Sequence, residues 1–133
     1  MPNLYPDPAL ASGDYSAMGG FAKDGTALVA SDAGIFDVIA LEGPIEGDFF
    51  GFIAKAGQYQ VSVHVADHEQ GGAHARIRAG AFTDLGIAGD GWTFPITVTA
   101  GTNEQVSFVL RGSNNGRFRI VPDENGEAIR ITT

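Results

Sequence analysis

All three histidines of this 133-residue chain, His64, His68 and His74, fall between Gly57 and Phe82, alongside Arg76 and Arg78. Imidazole binds zinc or nickel and carries protons near neutrality, so chemistry is sought here first. Val61, Val63 and Val65 alternate with Gln60, Ser62 and His64, the period of two of a half-buried strand. Ile77, Ala79 and Ala81 alternate with Arg76, Arg78 and Gly80 in the same way. A three-residue loop, Gln70-Gly71-Gly72, puts both apolar rows on one face by pairing Val65 with Ile77 and Val63 with Ala79. His68 then stands opposite His74. His64 lies about 13 Å back along the strand at ~3.3 Å per residue, too far to join them on a metal. No metal site is expected. The polar face of this hairpin, with His64, His68, His74, Arg76 and Arg78, is instead a candidate interface.

Ligand binding by stacking needs an exposed aromatic ring flanked by planar polar groups. Trp92, the sole tryptophan, follows a turn in Gly89-Asp90-Gly91-Trp92, with the Asp90 carboxylate beside it. Tyr15 sits in an irregular, turn-rich segment. Trp92, Tyr15 and Asp90 are the candidate ligand-binding residues, although the phase of Trp92 matches Phe94, Ile96 and Val98 and points its ring toward the core rim. Tyr5, in an irregular segment, is a further candidate interface residue. Catalytic signatures are absent: no G-x-S-x-G, no H-E-x-x-H, no phosphate loop and no dinucleotide turn. With no cysteine there is no thiol nucleophile, thiolate metal site or disulfide. No enzyme and no cofactor are expected.

The elements that must position these groups are strands. Pro2, Pro6 and Pro8 forbid helix and make residues 1–12 an extended arm that lies on something else. Strands are predicted over Thr26–Ala30, Gly34–Leu41 and Gly47–Ala56, then in the histidine hairpin. Trp92 to Thr99 alternates, but Pro95 cannot donate to a ladder, so this strand needs an edge position or a bulge. Gln105–Arg111, then Phe118 and Ile120 between Arg117 and Arg119, then Ile129 and Ile131 around Arg130, complete the set. An Asp123-Glu124-Asn125-Gly126 turn separates the last two. Nine or ten short strands without a convincing helical period indicate one all-β domain, an antiparallel β-sandwich of jelly-roll type.

Length permits one core that buries roughly two-thirds of the unfolded surface. Net charge is −8, unevenly placed: residues 1–69 carry ten acids against Lys23 and Lys55 (2 − 10 = −8), and residues 70–133 carry six of each (6 − 6 = 0). An acidic half repels phosphate, which argues against nucleic acid and anionic membrane as partners. No apolar run is long enough for a transmembrane helix, and the first residues lack the charged start and apolar block of a secretory signal. Arg76, Arg78, Arg117, Arg119 and Arg130 alternate with apolar residues and line a solvent face, either as ordinary solvated side chains or as partners for acids of a second copy.

Asn3-Leu4-Tyr5-Pro6-Asp7-Pro8-Ala9-Leu10-Ala11-Ser12-Gly13 resembles the opening motif of jelly-roll carbohydrate-binding modules with the galactose-binding-like fold. Ala56-Gly57-Gln58-Tyr59-Gln60-Val61-Ser62-Val63-His64-Val65 is similar to their central strand, and Ala75-Arg76-Ile77-Arg78 to the strand after it. Val106-Ser107-Phe108-Val109-Leu110 and Gly116-Arg117-Phe118-Arg119-Ile120 resemble the closing pair. Ala11 stands where the family has a glutamate, and the chain closes on Ile129-Arg130-Ile131-Thr132-Thr133 without the acids that hold the family's calcium. Members occur in secreted hydrolases and on bacteriophage fibres, tails and capsids. The resemblance implies a non-enzymatic virion structural protein, made in the host cytoplasm: a capsid decoration, spike or fibre/tail module. Such a protein self-associates or docks on a particle, and can bind host polysaccharide. The alternative is a carbohydrate-binding module of a secreted, extracellular hydrolase or adhesin.

Overall fold

The computed structural model describes residues 3–5, 8–11, 21–30, 36–40, 51–54, 57–70, 73–75, 83–100, 104–107, 109–112 and 117–132. Among them are thirteen strand segments and no helix. In chain order these are β1 (Phe21–Asp24), β2 (Ala27–Ala30), β3 (Phe36–Ala40), β4 (Gly51–Ala54), β5 (Gly57–Gln70), β6 (Ala73–Ala75) and β7 (Thr83–Asp84). After them come β8 (Gly91–Trp92), β9 (Ile96–Ala100), β10 (Glu104–Ser107), β11 (Val109–Gly112), β12 (Arg117–Ile120) and β13 (Ile129–Thr132). Every pairing is antiparallel. A seven-stranded sheet runs β1-β2-β12-β5-β13, with β8 and β9 also on β5, beside a four-stranded sheet β3-β11-β6-β7 and a pair β4-β10. The described part of the protein is all-β and antiparallel.

β5 is the axis of the large sheet because it is long enough to take two shorter strands on each edge. On one edge Gln60 to Val63 pair with β13 and Val65 to Gln70 with β12. On the other, Gly57 to Val61 pair with β9 and His64 and Val65 with β8. Its valines are at most 1% exposed. They face equally large partners: Val61 is opposite Ile131, Val63 opposite Ile129 and Val65 opposite Ile120. Each such fully buried side chain contributes about 1.5–3 kcal/mol. Tyr5, Leu10, Tyr59, Leu85, Val98, Phe118 and Ala128 complete the buried apolar set among the described residues.

This pairing overturns the predicted hairpin. Val65 has Ile120 on one edge and Gly91 on the other. Val63 has Ile129 on one edge, while its carbonyl accepts the Thr93 amide on the other at 2.9 Å. Neither has an edge left for Ile77 or Ala79, which lie outside the described residues. His74 pairs through its backbone with Arg111 and Asp84, not with His68. The physical reason is side-chain size. Three isoleucines distant in sequence offer more apolar surface to the valines than the nearby set of Ile77, Ala79 and Ala81 can.

Two irregularities shape β5's surroundings. Between the pairs His64↔Trp92 and Val61↔Ile96, β5 advances three residues and the facing chain four (64 − 61 = 3; 96 − 92 = 4). One extra residue at Thr93-Phe94-Pro95 is a bulge, as Pro95 requires. It reverses the side-chain phase across the segment. The second lies between Arg119↔Ala66 and Arg117↔Gln70, where β5 uses four residues against two. Asp67 there takes a positive φ of 52°, which aspartate tolerates better than most residues. The Asp90 carboxylate accepts the His68 amide at 2.8 Å and so closes the bulge.

The N-terminal arm lies on the protein's own last strand. Leu4 donates its amide to the Ile131 carbonyl at 2.7 Å, and Ala128 donates to the Pro8 carbonyl at 2.7 Å. Asn3 acts as a clamp: its Oδ1 accepts the amides of Tyr5 and Ile131, and its Nδ2 donates to the Ile129 carbonyl and the Glu127 carboxylate. Tyr5, expected at an interface, is 2% exposed and belongs to the core. The arm covers the outer edge of β13 and carries the Tyr5 ring inward, where burying its large apolar face is favourable.

Candidate functional site

The site grows from the junction at His64, where β12 ends and β13 has not begun. The His64 amide donates to the Ala128 carbonyl at 2.8 Å, and its carbonyl accepts the Val121 amide at 3.0 Å. The loop between them, residues 121–128, is thereby held at both ends to a single residue of β5. Its turn is built by Asp123. The Asp123 Oδ1 accepts the amides of Asn125 at 2.9 Å and Glu127 at 3.0 Å, while the Asp123 carbonyl accepts the Gly126 amide at 3.0 Å. Gly126 has a φ of +79°, which glycine adopts without strain. The short aspartate side chain bonding its own following backbone is why this sequence turns here.

The same carboxylate fixes Trp92. The indole Nε1–H donates to Asp123 Oδ2 at 3.0 Å. The Arg130 guanidinium sits 4.1 Å from the centroid of the indole, a cation–π contact, and 4.0 Å from Asp123 Oδ2. Arg130 is in turn oriented by Glu127, whose Oε1 accepts Nη2 at 3.1 Å and whose Oε2 accepts Asn3 Nδ2 at 2.9 Å. A continuous polar chain thus runs from the N-terminal arm through Glu127 and Arg130 to Trp92 and Asp123. The Asp123 carboxyl is held below its ordinary value of 3.8. The Glu127 amide is the chief cause, joined by the Trp92 indole, the Asn125 amide and the charge of His64, against burial, which pushes it up.

His64 completes the wall. Its ring centroid is 5.4 Å from that of Trp92, with the planes tilted by 54°. Its Nδ1 lies 2.9 Å from the Val121 carbonyl oxygen. A carbonyl only accepts, so Nδ1 carries the proton, and Nε2 of the neutral ring is an acceptor on the side of the ring away from Val121. His64, Trp92, Pro122, Asp123 and Glu124 line an open groove of about 380 Å³. That volume lies within the range of small-ligand sites.

Of the described residues among the ligand-binding candidates, Asp90 does not line this groove and Trp92 does. Its ring is on the His64 face and not in the core row, because the bulge at 93–95 reverses the phase. For the same reason Phe94, placed by alternation with the core residues, is 91% exposed, and Thr93 is buried. Asp90 is occupied with the β5 bulge. The His68 ring lies 6.3 Å from that of Phe118, away from the groove residues in the same bulge. Arg117 and Arg119 pair within the chain, with Glu69 at 3.7 Å and Asp67 at 3.3 Å. Tyr15, Arg76 and Arg78 lie outside the described residues, and of His74 only the backbone is described. Asp123 and Glu124, read from the sequence only as turn residues, and Arg130, read only as a solvent-face arginine, are the site residues that sequence reasoning missed, whereas His64 already belongs to the candidate contact face. The aspartate that starts a D-x-x-G turn was their one local signal. Among the described residues no group of three or more His, Asp or Glu side chains is arranged to hold a metal ion.

Set against protein-family models, curated proteins and solved structures, the chain matches none of them.

Proposed function

We propose that the protein is a non-enzymatic β-sandwich domain of jelly-roll type that binds glycans through the groove beside Trp92. We further propose that it works on the outside of a virus particle, as a capsid decoration, spike or fibre/tail module. The observation that carries the first part is an indole locked in orientation by Asp123 and Arg130 on the wall of an open groove. A ring fixed before the ligand arrives costs little further ordering, which matters for weakly held, hydroxyl-rich ligands. His64, Asp123 and Glu124 supply planar polar groups beside it, the pairing that sugar recognition uses. The setting on a particle is supported by the resemblance to jelly-roll modules. The contrast between an acidic first half and a charge-balanced second half also suits repeated copies packed side by side.

Two measurements test this. Binding to a panel of immobilised polysaccharides is expected for the protein and lost in Trp92→Ala, whose thermal unfolding is monitored alongside. A folded variant that binds as well as the parent overturns the groove assignment. Antibody labelling of purified particles from the source is expected to mark their surface. Recovery of the protein instead from culture fluid, joined to a hydrolase or adhesin, replaces the particle by a secreted setting and leaves the groove assignment intact.

A further inference from the structure

The hydrogen-bonding character of the groove restricts what it can hold. Trp92 has one donor, its indole N–H, and that is taken up by Asp123. His64 has one N–H in its neutral form, directed at the Val121 carbonyl. What the lining side chains leave for a ligand is Nε2 of His64 and the carboxylates of Asp123 and Glu124. All are acceptors. Asp123 is itself largely occupied, with two backbone amides on Oδ1 and the indole on Oδ2. Glu124 is exposed and has no partner among the described residues. A ligand group that fits must therefore bring donors, and preferably positive charge. Carboxylates, phosphates and acetamide carbonyls would meet acceptor against acceptor, which costs about as much as leaving a hydrogen-bonding group unmade.

We propose that the groove selects sugars bearing a free, protonated amine, that is, deacetylated hexosamines, with the ammonium held by the Glu124 carboxylate and His64 Nε2 beside the Trp92 ring. This rests on the glycan-binding reading and names the substrate class within it. Three donor hydrogens on an ammonium match the acceptors that the groove exposes. The chain's net charge of −8 also attracts a cationic oligosaccharide over longer range.

The test is titration calorimetry of the intact protein at low ionic strength with four probes: a glucosamine oligomer, its N-acetylated counterpart, a neutral glucose oligomer of equal length and a galacturonic acid oligomer. Expected is binding in that order of charge, with the amine form at least about tenfold tighter than the N-acetylated form, in line with a charge-assisted hydrogen bond. Glu124→Gln keeps the shape and removes the charge at an exposed position. It is expected to weaken the glucosamine oligomer about two- to fivefold, and to weaken it more than it weakens the glucose oligomer. Equal binding of amine and N-acetylated forms overturns the inference while the glycan-binding reading stands, as does a Glu124→Gln variant that loses nothing. Tighter binding of the galacturonic acid oligomer overturns it too. If no oligosaccharide binds, or an oligolysine peptide added as a fifth probe binds where glucosamine does not, both readings fall.

Discussion

The two faces of β5 are built on opposite principles. On the valine face, specificity comes from bulk: Val61, Val63 and Val65 stand opposite Ile131, Ile129 and Ile120, and any large aliphatic set in register would serve. On the His64 face, position comes from directed bonds. His64, Trp92, Asp123, Glu127, Arg130 and Asn3 hold one another through contacts whose geometry admits few replacements. One face buries the apolar side chains, the other supplies a shaped surface. Truncations on the first should lower stability without touching binding, and conservative changes on the second should do the reverse.

That contrast can be broken at several points. The largest effect is expected from Ile129→Ala, which opens a cavity against Val63 and should cost about 2–5 kcal/mol in urea unfolding. Glycan affinity per folded molecule should stay unchanged. Asn3→Ala comes next, at about 1–3 kcal/mol, because it leaves the Ile131 amide and the Ile129 carbonyl without their partner. Since Asn3 also orients Glu127, this variant should weaken binding as well. Trp92→Phe removes the indole N–H and should cost about 0.5–1.5 kcal/mol of stability, with a larger fractional loss in glycan binding. Equal losses in the two would blur the distinction between the faces. Arg119→Ala, which breaks an exposed pair with Asp67 at the far bulge, should change stability by less than about 1 kcal/mol and binding not at all.

Acid should single out the directed face. Because the Asp123 carboxyl titrates below 3.8 in the folded protein, its contribution is fully present above that value and is lost as pH falls further. In a series of thermal melts from pH 6 down to pH 2, on the order of one measurement per half unit, the parent should lose stability faster than Asp123→Asn below about pH 4. Parallel curves would mean that the Asp123 charge does not matter to the turn.

The two faces also differed in how far the sequence disclosed them. The valine row was legible because alternation is a local signal, and so was the turn at Asp123-Glu124-Asn125-Gly126, whose aspartate and glycine are local signals too. The choice of partner was not. Alternation says which residues share a face but not which strand arrives beside them, and Ile77 seemed as good as Ile120. Pro95 announced a bulge, yet its consequence, the transfer of Trp92 to the opposite face, required knowing that β8 and β9 lie on the same edge of β5. β1 went unnoticed, although Asp24-Gly25 is a strong hairpin signal and Gly25 has a φ of +60°. The site residues His64, Asp123 and Arg130 meet only through long-range pairing, which no local pattern encodes.

The Asn3 clamp also has a consequence in time. It joins Asn3 to Ile131, positions 128 apart in sequence, and the strands that complete β5's first edge are contributed by residues 117–132. During synthesis β5 is therefore made long before its isoleucine partners exist. Its valine row must wait, exposed, until nearly all of the sequence has emerged. Pairings of such separation close slowly, and an unpartnered strand of alternating valines is prone to meet its like in another copy. Refolding yield should accordingly fall as protein concentration rises. The polar His64 face, with Gln60, Ser62 and His64 between the valines, is then the feature that keeps the waiting strand in solution.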